Sequence, residues 1–156
     1  MSERLEPFCD GVFAIAITLL ILEIKVPLKE SIHSSSDLRH ALVAHWPSWF
    51  AFLLSFISLF IAWVNHHHLF RQLNLNKTSN VFLYANGLLM LTIIVYPYVT
   101  SLLAEYLNTA YAKLPIFAYC LATTFHADAW VILCHAALHP LDLTKNEVCF
   151  KRIKVN

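Results

Sequence analysis

From Gly11 to Leu22 the chain carries no charged residue, and this run is rich in Ile and Leu. Arg4, Glu6 and Asp10 precede it, Glu23 and Lys25 close it, and Pro27 follows. Such a stretch reads as a helix crossing a bilayer, on the short side of the ~20 residues a crossing needs. Three more apolar runs extend the reading from one helix to a bundle: Trp46–Val64, Val81 to about Ala104, and about Leu114 to Leu138. The expected fold is therefore all-α, a polytopic membrane helical bundle of about four transmembrane helices over 8–26, 46–66, 81–104 and 114–138. No linker or repeat divides them, so 1–156 reads as a single integral membrane domain.

Composition agrees. Charged residues make up 13% of the chain against 58% hydrophobic, roughly half the ~25% charge of a soluble domain. A net charge of +1, with no basic arm, gives no bias toward nucleic acid. The opening mixes acids with Arg4 and has no small-x-small site after its apolar run, so it does not read as a cleavable signal peptide. Cys9, Cys120, Cys134 and Cys149 are scattered, without the pairing of a disulfide framework or zinc site. With only Gly11 and Gly87 present, close helix contacts must use Ala, Ser and Thr.

At about 100° per residue, taking Ile15 as reference, Leu19 falls roughly 40° to one side and Leu22 roughly 20° to the other. Phe8 lies near the same line, Thr18 roughly 60° off it, and Asp10 roughly 140° away. The first helix thus has an apolar seam with a lone carboxylate pointing elsewhere. Such a seam can face lipid, pack in a core, or line a pore.

Arg4-x-x-x-Phe8-Cys9-Asp10, followed by GVFAIAITLLILEIKVP, resembles the R-x-x-x-F-S-D motif that opens the transmembrane protein 175 family, potassium channels of endolysosomes and prokaryotes. Cys9 stands where that family has Ser, a small-for-small change that weakens a hydrogen bond. Trp63-x-x-His66, with Asn65 beside it, resembles the family's W-x-x-H segment, and Asn86, Pro97 and Thr100 fit the same pattern. The resemblance implies a homo-oligomer, a homotetramer, whose first helices line the pore. Carried over by position, the constriction is Ile15, Leu19 and Leu22, with Thr18 nearby. It also implies a six-helix repeat where four runs are present here, so the chain reads as a member shortened after the fourth.

Asp10 points away from the seam and must be satisfied inside its own subunit. Arg4, Asn65, His66 and Asn86 are the partners expected for it. Arg4, Phe8, Cys9, Asp10, Trp63, Asn65, His66 and Asn86 are therefore expected to anchor the pore helix, with direct gating or ion binding as the alternative. Lys and Arg place both termini in the cytoplasm: Arg4, Arg71, Lys77, Lys145, Lys151, Arg152 and Lys154 on one side, Lys25, Lys29, Arg39 and Lys113 on the other.

His66, His67 and His68 point about 100° apart and cannot share one ion from one helix. His126 and Asp128, at membrane depth, are either paired within the bundle, on a peripheral helix, or functional. Glu105 reads as interfacial.

The function expected is a potassium-selective channel subunit in the plasma membrane of a prokaryote, with potassium ions, lipid and further copies of itself as partners. No nucleic acid, metal or cofactor is expected. The sequence has no TVGYG-like filter, so the standard potassium filter is excluded, and the resemblance implies hydrophobic rings in its place. Two rivals are a non-conducting assembly or scaffold protein, and a haem- or metal-binding membrane protein using His66, His126 or His135. No nucleophile–base–orienter set is visible, so an enzyme is not expected.

Overall fold

The computed structural model describes residues 4–72 and 79–138. Helix α1 spans Leu5–Leu19 and tightens into a 3-10 turn over Leu20–Glu23. A short 3-10 turn at Lys29–Ser31 leads to α2, Ser35–Ala44, which is followed by α3, Trp46–Gln72, α4, Asn80–Tyr106, and α5, Lys113–Leu138. Four of these segments, all but α2, are long and apolar enough to cross a membrane. The protein is an all-α integral membrane bundle.

The first span ends at Glu23 rather than near residue 26. Ile24 turns extended, at φ −84° and ψ 95°, and Pro27 disfavours helical backbone at the residue before it. The shorter span still suffices. Fifteen α-helical and four 3-10 residues rise about 30 Å, the thickness of the hydrocarbon core.

The third helix departs in the other direction. Expected to end near residue 66, it continues through His66–His68 to Gln72, and 73–78 lie outside the described residues. The basic tail that follows Pro140 lies outside them as well. Pro97 sits inside α4, which runs on to Tyr106.

Helix α2 starts at the Ser34 N-cap, whose hydroxyl accepts from the Asp37 N–H at 3.1 Å. Asp37 reaches back to the His33 N–H at 3.1 Å, one residue before the cap, so one orphan donor of the helix start and one N–H of the preceding loop are satisfied.

Helix α4 is the centre of the bundle: α1, α3 and α5 all pack on it. Each membrane-crossing helix buries a stripe, mostly at spacings of three and four, as with Cys9, Phe13, Ala16 and Leu20 on α1 or Leu59, Ala62, His66 and Phe70 on α3, whereas α2 buries none. Alanines such as Ala16, Ala62, Ala85 and Ala129 are buried and let the backbones approach. The two glycines take no part in this, since a methyl group added at Gly11 or Gly87 would meet nothing within 4 Å.

Candidate functional site

The buried stripe of α1 carries the first polar connection. Asn86 of α4 donates through Nδ2 to Cys9 Sγ at 3.1 Å, and its Oδ1 lies 2.9 Å from His66 Nε2 of α3. A carbonyl oxygen accepts, so the imidazole proton sits on Nε2. One amide thereby ties α1 to α3 through α4, and all three side chains are buried. The other ring nitrogen, His66 Nδ1, has no hydrogen-bond partner. It lies among aromatic rings: Phe70 stacks on the imidazole at 4.4 Å, with Phe13 at 5.4 Å and Trp130 at 6.4 Å.

Asp10 is held separately. Trp63 donates through Nε1 to Asp10 Oδ1 at 2.9 Å. Trp63 belongs to a ladder of rings along α3, Phe52–Phe56–Phe60–Trp63–His67, with successive centroids 5.9, 6.0, 5.8 and 6.1 Å apart. The sequence-based partners differ from this. Asp10 bonds neither Arg4 nor Asn65, His66 or Asn86; it is Cys9, the residue that departs from the family motif, that reaches Asn86. Arg4 makes no hydrogen bond or ion pair among the described residues, and Arg4, Phe8 and Asn65 are exposed. The acid near them that does find a base is Glu6, 3.5 Å from His67 Nδ1.

The opposite face of α1 is bare. Ile15 is 62% exposed, Leu19 42% and Leu22 70%. In the 3-10 turn side chains three apart eclipse, which sets Leu22 over Leu19 instead of on the far side of Ile15. Thr18, also exposed, gives its hydroxyl proton to the Ala14 and Ile15 carbonyls, at 2.8 and 2.9 Å, and keeps its oxygen lone pairs outward. Between this face and α4 lies an apolar recess of about 280 Å³, lined by Val12, Ile15, Ala16, Leu19, Ile94 and Pro97. At the far end Lys25 meets Glu105 at 2.6 Å. That hydrogen bond and the carboxylate charge raise the Lys25 pKa above its ordinary value.

Two polar clusters deeper in the bundle were not assembled from sequence. Ser55 Oγ lies 2.6 Å from Thr100 Oγ1 and 3.0 Å from the Tyr119 hydroxyl, while Thr100 donates to the Tyr96 carbonyl at 2.7 Å. The signal was hydroxyls on faces that must be buried. In the second cluster Trp130 Nε1 donates to His126 Nε2 at 3.2 Å, which leaves the ring proton on Nδ1, 2.9 Å from Thr92 Oγ1. Thr92 passes its own proton to the Leu89 carbonyl at 2.6 Å. His126 is thus satisfied inside the bundle, whereas Asp128, two residues on, is exposed and does not pair with it. Among the described residues no three His, Cys, Asp or Glu side chains converge as a metal site would require.

Residues 4–97 match the family described as endosomal/lysosomal potassium channel TMEM175. A potassium channel of Chamaesiphon minutus is 47% identical over 116 residues, 74% of this chain and 56% of the relative. One from Streptomyces collinus is 40% identical over 135 residues, 83% of this chain and 63% of the relative. The match therefore spans little more than half the length of these relatives. The crystal structure of a lysosomal potassium-selective channel TMEM175 homolog from Chamaesiphon minutus superposes with a TM-score of 0.79 at 39% identity, covering 96% of this chain and 79% of that one. A buried motif that ties α1 to the bundle, four membrane-crossing helices in this arrangement and identity at this level agree: the chain belongs to the TMEM175 family of ion channels, which are not enzymes.

Proposed function

We propose that the chain is a potassium-selective channel subunit that assembles as a homotetramer around α1. The observation that carries this reading is the division of α1 into two faces. Cys9, Phe13, Ala16 and Leu20 are buried against α3 and α4, while Ile15, Leu19 and Leu22 stand free. Four copies with those side chains on a common axis make successive narrow apolar rings. Such a ring obliges an ion to shed part of its hydration shell with little in return, and Na⁺, which holds water more tightly than K⁺, is disfavoured more. The same rings can gate by dewetting. Thr18, with its proton already committed to the helix backbone, offers only oxygen to what passes, which suits a cation.

Cys9, Asp10, Trp63, His66 and Asn86 act as the anchor that keeps the ridge turned outward, with Arg4, Phe8 and Asn65 at the exposed base of the helix. The recess between α1 and α4 gives the neighbouring subunit's first helix a place to seat. Both termini lie in the cytoplasm of a prokaryotic cell in this reading, as the distribution of Lys and Arg favours.

The test is potassium flux into liposomes holding the purified chain, together with the symmetry of detergent-solubilised particles. Fourfold particles and flux that favours K⁺ over Na⁺ are expected. Monomeric particles with no flux would leave the non-conducting scaffold in its place.

A further inference from the structure

The base of α1 meets α3 through two acids set one turn apart. Asp10 takes the indole N–H of Trp63 at 2.9 Å, and Glu6 Oε1 stands 3.5 Å from His67 Nδ1. Glu6 and Asp10 are four apart on α1, and Trp63 and His67 are four apart on α3, so each pair shares a helix face. The two rungs are joined, because the Trp63 and His67 rings stack with centroids 6.1 Å apart and planes 25° apart.

The rungs differ in chemistry. An indole N–H is a donor at any ordinary pH, whereas an imidazole is the side chain whose charge changes between about pH 5 and 8. At 3.5 Å the Glu6–His67 contact is longer than a hydrogen bond, so an uncharged ring gains little from it. A protonated ring attracts the carboxylate across that gap and can close it to a charge-assisted hydrogen bond. The same cation then lies against the face of the Trp63 indole, which favours it further.

Both partners can play these parts where they stand. His67 lies three residues beyond the charge-free run Trp46–Val64, about 4.5 Å along the helix. Its side chain is 40% exposed and that of Glu6 32%, so water reaches the pair. Glu6 sits in the first turn of α1, where free backbone N–H groups favour a carboxylate. Other ionisable groups surround the contact. On α1, Asp10 is held by Trp63. On α3, His66 is buried and turned to Asn86, the His68 ring stands 6.2 Å from that of His67, and Arg71 follows one turn on. On α5 His135 lies at this end of the bundle, and α4 brings no charged side chain to it.

We propose that His67 is a proton-operated latch for the base of α1. Protonated, it pairs with Glu6 and holds the first turn of α1 against α3. Neutral, it releases Glu6 and leaves the Asp10 and Cys9 bonds to hold the helix. The latch is built from contacts within one chain and stands if the pore reading fails. Where that reading holds, the same proton steadies the helix that carries Ile15, Leu19 and Leu22.

The test is the mobility of a nitroxide on Phe8→Cys, an exposed position between the two acids, in the full chain in lipid nanodiscs. The background keeps only the buried Cys9 and has Cys120, Cys134 and Cys149 changed to Ser; without Phe8→Cys it serves as the labelling control. The ratio of immobile to mobile label is expected to rise about threefold between about pH 8 and about pH 5.5, the scale of a half-exposed ion pair. Glu6→Gln and His67→Gln should each flatten that response at the mobile, alkaline level. His67→Lys, a cation at both pH values, should hold the label immobile at both. A flat response in the labelled background would overturn the proposal, and that measurement needs no change in either rung. So would a response that survives in His67→Gln, which would assign the proton to His66, His68 or His135. A response that survives in Glu6→Gln would overturn it as well.

Discussion

Helices α1 and α5 are the two least buried spans of the bundle, and both rest on α4, yet their bare faces differ in kind. That of α1 is a ridge of Ile15, Leu19 and Leu22 without a charge, backed by the Cys9–Asn86–His66 link that fixes its rotation. That of α5 carries Asp128 at the edge of an apolar recess between α4 and α5, backed by a His126–Thr92 link. Exposure alone therefore does not tell a pore face from a lipid face. What separates them is the polarity of the bare side and how rigidly the buried side behind it is held.

The largest effect should come from trimming each face in turn. Leu19→Ala widens a proposed ring, and bilayer recordings should show conductance raised several-fold and the K⁺ over Na⁺ preference eroded. Ile132→Ala, an equal loss of apolar bulk on α5, should change neither. If the two variants behave alike, the distinction between the faces is lost.

Next comes the anchor. Asn86→Leu leaves the buried His66 Nε2 proton without an acceptor, a loss of about 1–3 kcal/mol for one unsatisfied donor. Thermal unfolding in detergent should fall accordingly. Thr92→Val strands the His126 Nδ1 proton in the same way, but that site is only partly buried, so its cost should be smaller, about 1 kcal/mol. A larger loss for Thr92→Val would mean that α5, and not α1, is the more tightly fixed helix.

The smallest effect is just past the C-terminal end of the first span, where Lys25 and Glu105 meet in the open. An exposed pair adds little and is screened by salt. Glu105 raises the Lys25 pKa above 10.5. Whatever the pair contributes is thus fully present below pH 10.5 and lost as pH rises through the higher folded value. The thermal midpoints of the wild type and Lys25→Met should keep a constant small separation through neutral pH and converge only in strong alkali.

Much of the fold could be read from the sequence because each span is a nearly uncharged run, and lipid leaves such a run only the helix. The ends could not. The first span stops at Glu23, where Ile24 turns extended, and α3 continues to Gln72 because nothing in NHHHLFRQ breaks a helix. At the site, helical spacing put Ile15, Leu19 and Leu22 on the side opposite Asp10, but it could not show that the 3-10 turn would bring Leu22 over Leu19. Partners were harder still. Asp10 was expected to find Arg4, the obvious opposite charge, whereas it takes an indole N–H from Trp63 across the helix interface. Cys9 looked like a weakened link in its motif and instead accepts from Asn86. Contacts between helices depend on rotation and depth together, and periodicity along one helix fixes only its own rotation.

Water access to the two faces tests the central claim most directly. One cysteine added at Leu19 or at Ile132, in a background that keeps only the buried Cys9 and has Cys120, Cys134 and Cys149 changed to Ser, can be exposed to a membrane-impermeant thiol reagent in intact vesicles, with the background alone as the control. The account predicts that Leu19→Cys reacts, and stops reacting when a pore-plugging cation is present, while Ile132→Cys stays unmodified. An inert Leu19→Cys beside a reactive Ile132→Cys would mean that the ridge of α1 faces lipid, and would contradict it.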